Sequence, residues 1–172
     1  MRTRDSATYS ALNRPSTWAQ GARSGPDEMS FMSEPKDLQF VDTNILIYAH
    51  DHSAGDKHTR ARDLVRALWQ SGEGCLSIQV LQEFYVNITE KVAKPLKADV
   101  AAQILADLSV WQVHRPGVED VLDAIRLQGR YQVSFWDAMI VASAIQLGCQ
   151  TIWSEDLSTG QVYDTVTVTS PF

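Results

Sequence analysis

From residue 38 onward the chain alternates short apolar runs with longer amphipathic ones, a pattern that predicts strands separated by helices. Residues 38–41 read as a first strand. It stops at Asp42, and Thr43 and Asn44 lead into a second apolar run at 45–49. Residues 51–56, with Ser53 and Gly55, read as a loop. A helix follows over 57–69, with Ala61, Leu64, Val65 and Leu68 on one face. Residues 75–78 form a second strand, and 79–93 a helix stopped ahead of Pro95. Another helix, 98–108, aligns Val100, Ile104 and Leu108. A short strand at 111–114 comes next, then Pro116 and Gly117, then a helix carrying Val118, Val121, Leu122 and Ile125. Ser134 caps the helix over 135–147, which ends at Gly148. Residues 151–153 are a strand, 154–164 a polar loop and 166–168 a last strand. Strands alternating with helices imply an α/β fold: three layers, α/β/α, around a mostly parallel central sheet.

Residues 1–37 break this pattern. They are rich in Ser, Arg, Pro, Gly and Thr and show neither periodicity, so they read as a disordered N-terminal extension ahead of a folded domain at 38–172. A start assigned too early is the other reading, with Met32 as the true one. Asp5, Asp27 and Glu28 weigh against a targeting peptide.

With 172 residues, 44% hydrophobic and 21% charged, the chain can bury a sizeable core. Its apolar runs are far shorter than a membrane span, which argues against a membrane partner. Cys75 and Cys149 each open a predicted strand and read as buried thiols, the usage of a reducing cytoplasm. Residues 1–37 carry five basic and five acidic residues, so the net charge of −6 belongs to the domain. That balance speaks against a broad basic nucleic-acid face. It leaves room for a nuclease, because carboxylates that hold a metal count as negative until the ion is bound.

Four carboxylates fall in contexts that suggest chemistry. Asp42 follows the first strand, where an open α/β sheet places its crevice. Asp137 lies in a helix apolar nearly all round, which predicts a buried carboxylate in need of a partner. Glu83 sits among apolar neighbours early in the helix after the second strand. Asp156 follows the strand 151–153, just as Asp42 follows the first. An oxygen-only cluster selects a hard cation, Mg²⁺ or alternatively Mn²⁺, and such an ion activates water toward a phosphodiester. Thr43, Asn44 and Ser154 are positioned to support the cluster. The histidines at 50, 52, 58 and 114 are scattered and read as surface residues; none has the spacing of a zinc site. The densest basic stretch holds Lys57, Arg60 and Arg62, which are candidates for contacting flanking phosphates, with Lys91, Lys94 and Lys97 as the alternative surface. Pairing with Asp56 and Asp63 on a solvated helix face is the competing role for these cations.

The segments Val41-Asp42-Thr43-Asn44, Gln82-Glu83-Phe84, Ser134-Phe135-Trp136-Asp137-Ala138 and Ser154-Glu155-Asp156-Leu157 together resemble the PIN-domain ribonucleases, and among them the VapC-type toxins of bacterial toxin–antitoxin pairs. The resemblance covers 38–172. It implies a metal-dependent endoribonuclease acting on structured RNA, often transfer or ribosomal RNA. Asp42, Glu83, Asp137 and Asp156 would be its catalytic, metal-binding residues, and Asp156 stands at the family's most variable position. It further implies an antitoxin protein as partner, and a homodimer. Two rival readings differ in chemistry. A haloacid-dehalogenase-like phosphatase would use Asp42 as nucleophile but expects a second Asp where Asn44 stands. A non-catalytic RNA- or protein-binding module has no need of four carboxylates.

Overall fold

The computed structural model describes residues 36–172; the expected disorder or late start of the N-terminal extension falls almost wholly outside the described residues. The elements run β1 (Gln39–Val41), α1 (Thr43–His50), a 3-10 turn (His52–Ala54), α2 (Asp56–Ser71), β2 (Gly74–Ser77), α3 (Ile78–Glu90), α4 (Ala98–Leu108), β3 (Gln112–His114), α5 (Val118–Tyr131), α6 (Phe135–Gln146), β4 (Thr151–Trp153), β5 (Val162–Tyr163) and β6 (Val166–Thr169). The sheet order is β3-β2-β1-β4-β6-β5. Every pairing is parallel except the β5–β6 hairpin; β5 lies within the stretch expected to be loop, while β6 covers the expected last strand.

That order locates the functional crevice. From β1 the chain steps outward through β2 to β3, then returns to lay β4 on the other side of β1. Right-handed crossovers put α1 to α4 on one face and α5 with α6 on the other, giving the three-layer α/β/α arrangement. The direction of winding reverses between β1 and β4, and the gap beyond their carboxyl ends is where such sheets bind ligands.

Local chemistry fixes the ends of these elements. Ser77 closes β2, and its hydroxyl accepts from Val80 N at 3.3 Å, so α3 starts with no intervening loop. Ser134 does the same for α6, accepting from Asp137 N at 3.1 Å. Gly72 ends α2 in the left-handed region, at φ 68°. Gly74 has another reason to be glycine: a Cβ there would overlap the Trp111 ring.

The core joins Phe40, Val41, Leu76 and Ile152 of the sheet to Ile45, Phe84 and Ile88 on one side and to the Ala138–Ala144 stretch of α6 on the other. One apolar run turns outward here, and one expectation fails. The apolar residues picked out on α5 do not face the core: Val118 is 75% and Ile125 51% exposed, with Val121 and Leu122 also exposed, while Ala124 and Leu127 make the contact. Small Ala124 lets α5 sit close to α6, and apolar spacing alone could not reveal which stripe turned inward. His58 is buried rather than on the surface, its Nδ1 at 2.9 Å from the Tyr48 carbonyl.

Candidate active site

Asp42 is the residue at which β1 becomes α1. As N-cap it accepts from Thr43 N through Oδ1 at 2.6 Å. Its other oxygen, Oδ2, accepts from Ser154 Oγ at 2.7 Å and from Asn44 Nδ2 at 3.1 Å. Only 8% of Asp42 is exposed. Burial pushes its carboxyl up to about 6, the charges of Asp156 and Glu83 push the same way, and the Ser154 and Thr43 bonds pull against them.

The neighbouring carboxylates join through short polar links. Asn44 Nδ2 reaches Asp156 Oδ2 at 3.0 Å, bridging the first turn of α1 and the loop after β4. Thr43 Oγ1 donates to Glu83 Oε2 at 2.9 Å, tying α1 to α3. Gln79, one turn before Glu83, donates from Nε2 to Glu83 Oε1 at 2.9 Å and to the Trp136 carbonyl at 3.3 Å, which ties α3 to α6. Its Oε1 is buried with no partner among the described residues. The Asp137 side chain accepts no hydrogen bond among them.

All four carboxylates line one cavity of about 140 Å³, together with Thr43, Asn44 and Gln79. None of the four forms an ion pair with Lys, Arg or His among the described residues. No three of them stand close enough together, as placed, to hold an ion at once. The donor set still fits a hard cation, because the four carboxylates of the cavity are all oxygen donors and negatively charged.

Burial is distributed differently from expectation. Asp42 is the deeply buried carboxylate; Asp137 is half-buried, because it lies on the first turn of α6, where the helix meets the cavity, and the fully buried stretch starts one residue later. Ser154 is wholly buried and holds its loop by accepting from Asp156 N at 3.1 Å and Leu157 N at 3.2 Å.

Lys57, Arg60 and Arg62 do not line the cavity. Lys57 pairs with Glu155 in the loop that carries Ser154 and Asp156, and its Nζ lies over the rings of Tyr48 and Phe172, at 4.9 and 5.3 Å. Arg62 pairs with Asp63 at 3.1 Å, and Arg60 is exposed. Lys91 borders an adjoining groove that shares Glu83 and Asn87 with the cavity. Gln79 and the Lys57–Glu155 pair were not singled out in the sequence. Gln79 carried one signal, its spacing of four from Glu83 on a helix; the pair joins segments about a hundred residues apart and carried none.

A strand-end cavity of carboxylates in a three-layer α/β/α fold describes a class of nuclease-like domains, and the comparisons with known proteins agree. Residues 40–163 match the PIN domain family model, and the chain belongs to that family. A search of the curated proteins finds no significant match. Among solved structures the chain is similar to VapC20 of Mycobacterium tuberculosis, described as a sarcin–ricin loop cleaving toxin: 21% identity, TM-score 0.53, covering 69% of this chain and 89% of that one. A toxin–antitoxin complex from Klebsiella pneumoniae matches at 18% identity and TM-score 0.58, over 78% of this chain and 98% of that one. DNA-bound VapBC from Salmonella typhimurium matches at 14% and 0.56, with the same coverages. At these identities the likeness is one of fold.

Proposed function

We propose that this chain is a metal-dependent endoribonuclease and the toxin of a type II toxin–antitoxin pair. One observation carries the reading: Asp42, Glu83, Asp137 and Asp156, from four separate segments, line a single cavity at the switch point of the sheet, with no cation among the described residues to neutralise them. Like charges brought together at the expense of burial mark a functional site more often than a structural one.

In this reading Asp42, Glu83, Asp137 and Asp156 would hold Mg²⁺ or Mn²⁺. A bound divalent cation supplies charge neutralisation at the phosphate and a more acidic water. The chain's own residues do the rest. Ser154 and Thr43 N orient Asp42, Thr43 and Gln79 orient Glu83, and Asn44 sets the spacing of Asp42 and Asp156. Asp137, whose side chain accepts no hydrogen bond among the described residues, is left with both oxygens free for the cation. Lys91, at the adjoining groove, and exposed Arg60 and Arg62 are the candidates for flanking phosphates.

The toxin–antitoxin complexes among the structures of similar fold support an antitoxin as partner, and the description of VapC20 as a sarcin–ricin loop cleaving toxin supports a structured RNA as substrate; transfer or ribosomal RNA is part of the proposal. A homodimer is part of the proposal. Val118, Leu122 and Ile125 form an exposed apolar stripe on α5, of the kind monomers rarely leave uncovered. No helix among the described residues is long and apolar enough to cross a membrane; a cytoplasmic location is part of the proposal.

Expression of the chain without a partner tests the function. Growth arrest with cleaved RNA, relieved by Asp42→Asn, is expected; arrest unchanged by Asp42→Asn would contradict metal catalysis.

A further inference from the structure

The cavity that holds the carboxylates has a single aromatic side chain in its wall among the described residues, Trp136. Its neighbours in the chain have clear roles. Phe135 is half-buried against the core, and Asp137 belongs to the carboxylate set. Trp136 has neither role. It is 63% exposed, and its indole N–H has no hydrogen-bond partner among the described residues. An indole is the largest apolar side chain a protein can bury, and leaving it in water beside a charged cavity forgoes that burial.

The ring nevertheless has a neighbour of its own. Phe135 braces it edge to face, with ring centroids 5.3 Å apart and planes at 69°. The Trp136 carbonyl accepts from Gln79 Nε2 at 3.3 Å, and the same amide nitrogen holds Glu83 at 2.9 Å. One buried amide thus sets the main chain bearing the indole relative to a carboxylate of the site. A free aromatic face, braced by Phe135 and on a main chain tied to the site, is a preorganised contact for something flat.

Charge indicates what that is. No lysine or arginine lines the cavity, so a nucleic acid entering it gains no direct ion pair there. Affinity at the cleavage point has to come from a bound cation and from uncharged surface. A nucleobase is the flat, uncharged part of the substrate that must lie beside a phosphate in the cavity. On the ribonuclease reading above, we infer that Trp136 is the stacking platform for an unpaired nucleobase adjoining the scissile phosphate. It therefore contributes to choosing unpaired over paired RNA, and does so with little regard to which base is present, since every base offers a π face.

The test measures binding of two labelled probes to the full chain by fluorescence anisotropy, with Ca²⁺ replacing Mg²⁺ to slow cleavage. One probe is oligo(A); the other is an abasic ribose-phosphate chain of equal length. Trp136→Ala should weaken oligo(A) binding about tenfold, the worth of one stacked base. Trp136→Phe should keep most of the affinity, and the abasic chain should bind wild type and Trp136→Ala equally. Equal loss on both probes, or no loss on either, would overturn the stacking role while leaving the nuclease reading intact. Failure of the wild-type protein to bind oligo(A) would overturn both. A Trp136→Ala protein that binds both probes like wild type but turns from dimer to monomer on a sizing column would assign the indole to a protein contact and overturn the proposal.

Discussion

The Ser154 hydroxyl donates to Asp42 Oδ2 at 2.7 Å and so joins the loop after β4 to the residue that ends β1. It spans the switch point of the sheet, and the same oxygen accepts from Asp156 N and Leu157 N. Ser154→Ala removes a donor from a buried carboxylate and leaves two backbone N–H groups short of an acceptor. Urea unfolding should show a loss of about 2 kcal/mol. Calorimetric titration with Mg²⁺ should show weaker binding, because the lost bond is one that favours the charged form of Asp42. Unchanged stability together with unchanged Mg²⁺ affinity would mean that the bond does not organise the site.

Asp42 makes the metal-free protein sensitive to pH in a defined direction. Its carboxyl titrates near 3.8 when unfolded and is pushed up to about 6 in the fold. Between those values the native state holds the proton that the unfolded state has lost, so stability falls as pH rises through this window and levels off above it. Half-buried His50, whose pKa is lowered by desolvation, runs the opposite way, so the comparison is made against Asp42→Asn. In EDTA the variant should gain on wild type by up to about 3 kcal/mol between about pH 4 and pH 7. A pH-independent difference would remove Asp42 from the buried, charge-repelled role.

Lys57 reads as a basic residue near the groove in the sequence; in the fold it pairs with Glu155 over the rings of Tyr48 and Phe172. Lys57→Met should loosen the loop bearing Ser154 and Asp156, seen as faster hydrogen exchange there and a modest fall in Mg²⁺ affinity. The salt dependence of RNA binding should stay as it was. A flattened salt dependence with unchanged loop exchange would return Lys57 to phosphate contact.

Reversing the charge of Arg60 and Arg62 together is expected to weaken RNA binding and flatten its dependence on salt, with Mg²⁺ affinity nearly unchanged. If RNA affinity is unmoved, the same reversal at Lys91, beside the groove that adjoins the cavity, should produce the effect.

The strand ends were the most legible part of the sequence. Alternation of apolar runs and turn residues placed β1, β2 and β4 almost to the residue, and the carboxylates beyond them follow from that placement. Which carboxylate is buried was not legible. An apolar helix suggested Asp137, but depth is set by how the helix end meets the crevice, and it is Asp42, enclosed by β4's loop, that lost its water. The α5 face misled for a similar reason: four large apolar residues look like a core stripe, yet small Ala124 marks the packed side. Gln79 was hidden because a glutamine in a helix has no chemical signature until its neighbours across space are known.

The central claim is that the carboxylate cavity cuts RNA with the help of a divalent cation. It is tested most directly by following cleavage of total RNA by purified wild-type and Asp137→Asn proteins as Mg²⁺ is titrated from an EDTA-stripped start. Wild type should cut only once the cation is added, and Asp137→Asn should be slower by about a hundredfold or more at every concentration, given that even outer partners of metal ligands cost 10–100-fold. Cleavage by wild type in EDTA at an undiminished rate, or an Asp137→Asn protein that cuts as fast as wild type, would contradict the account.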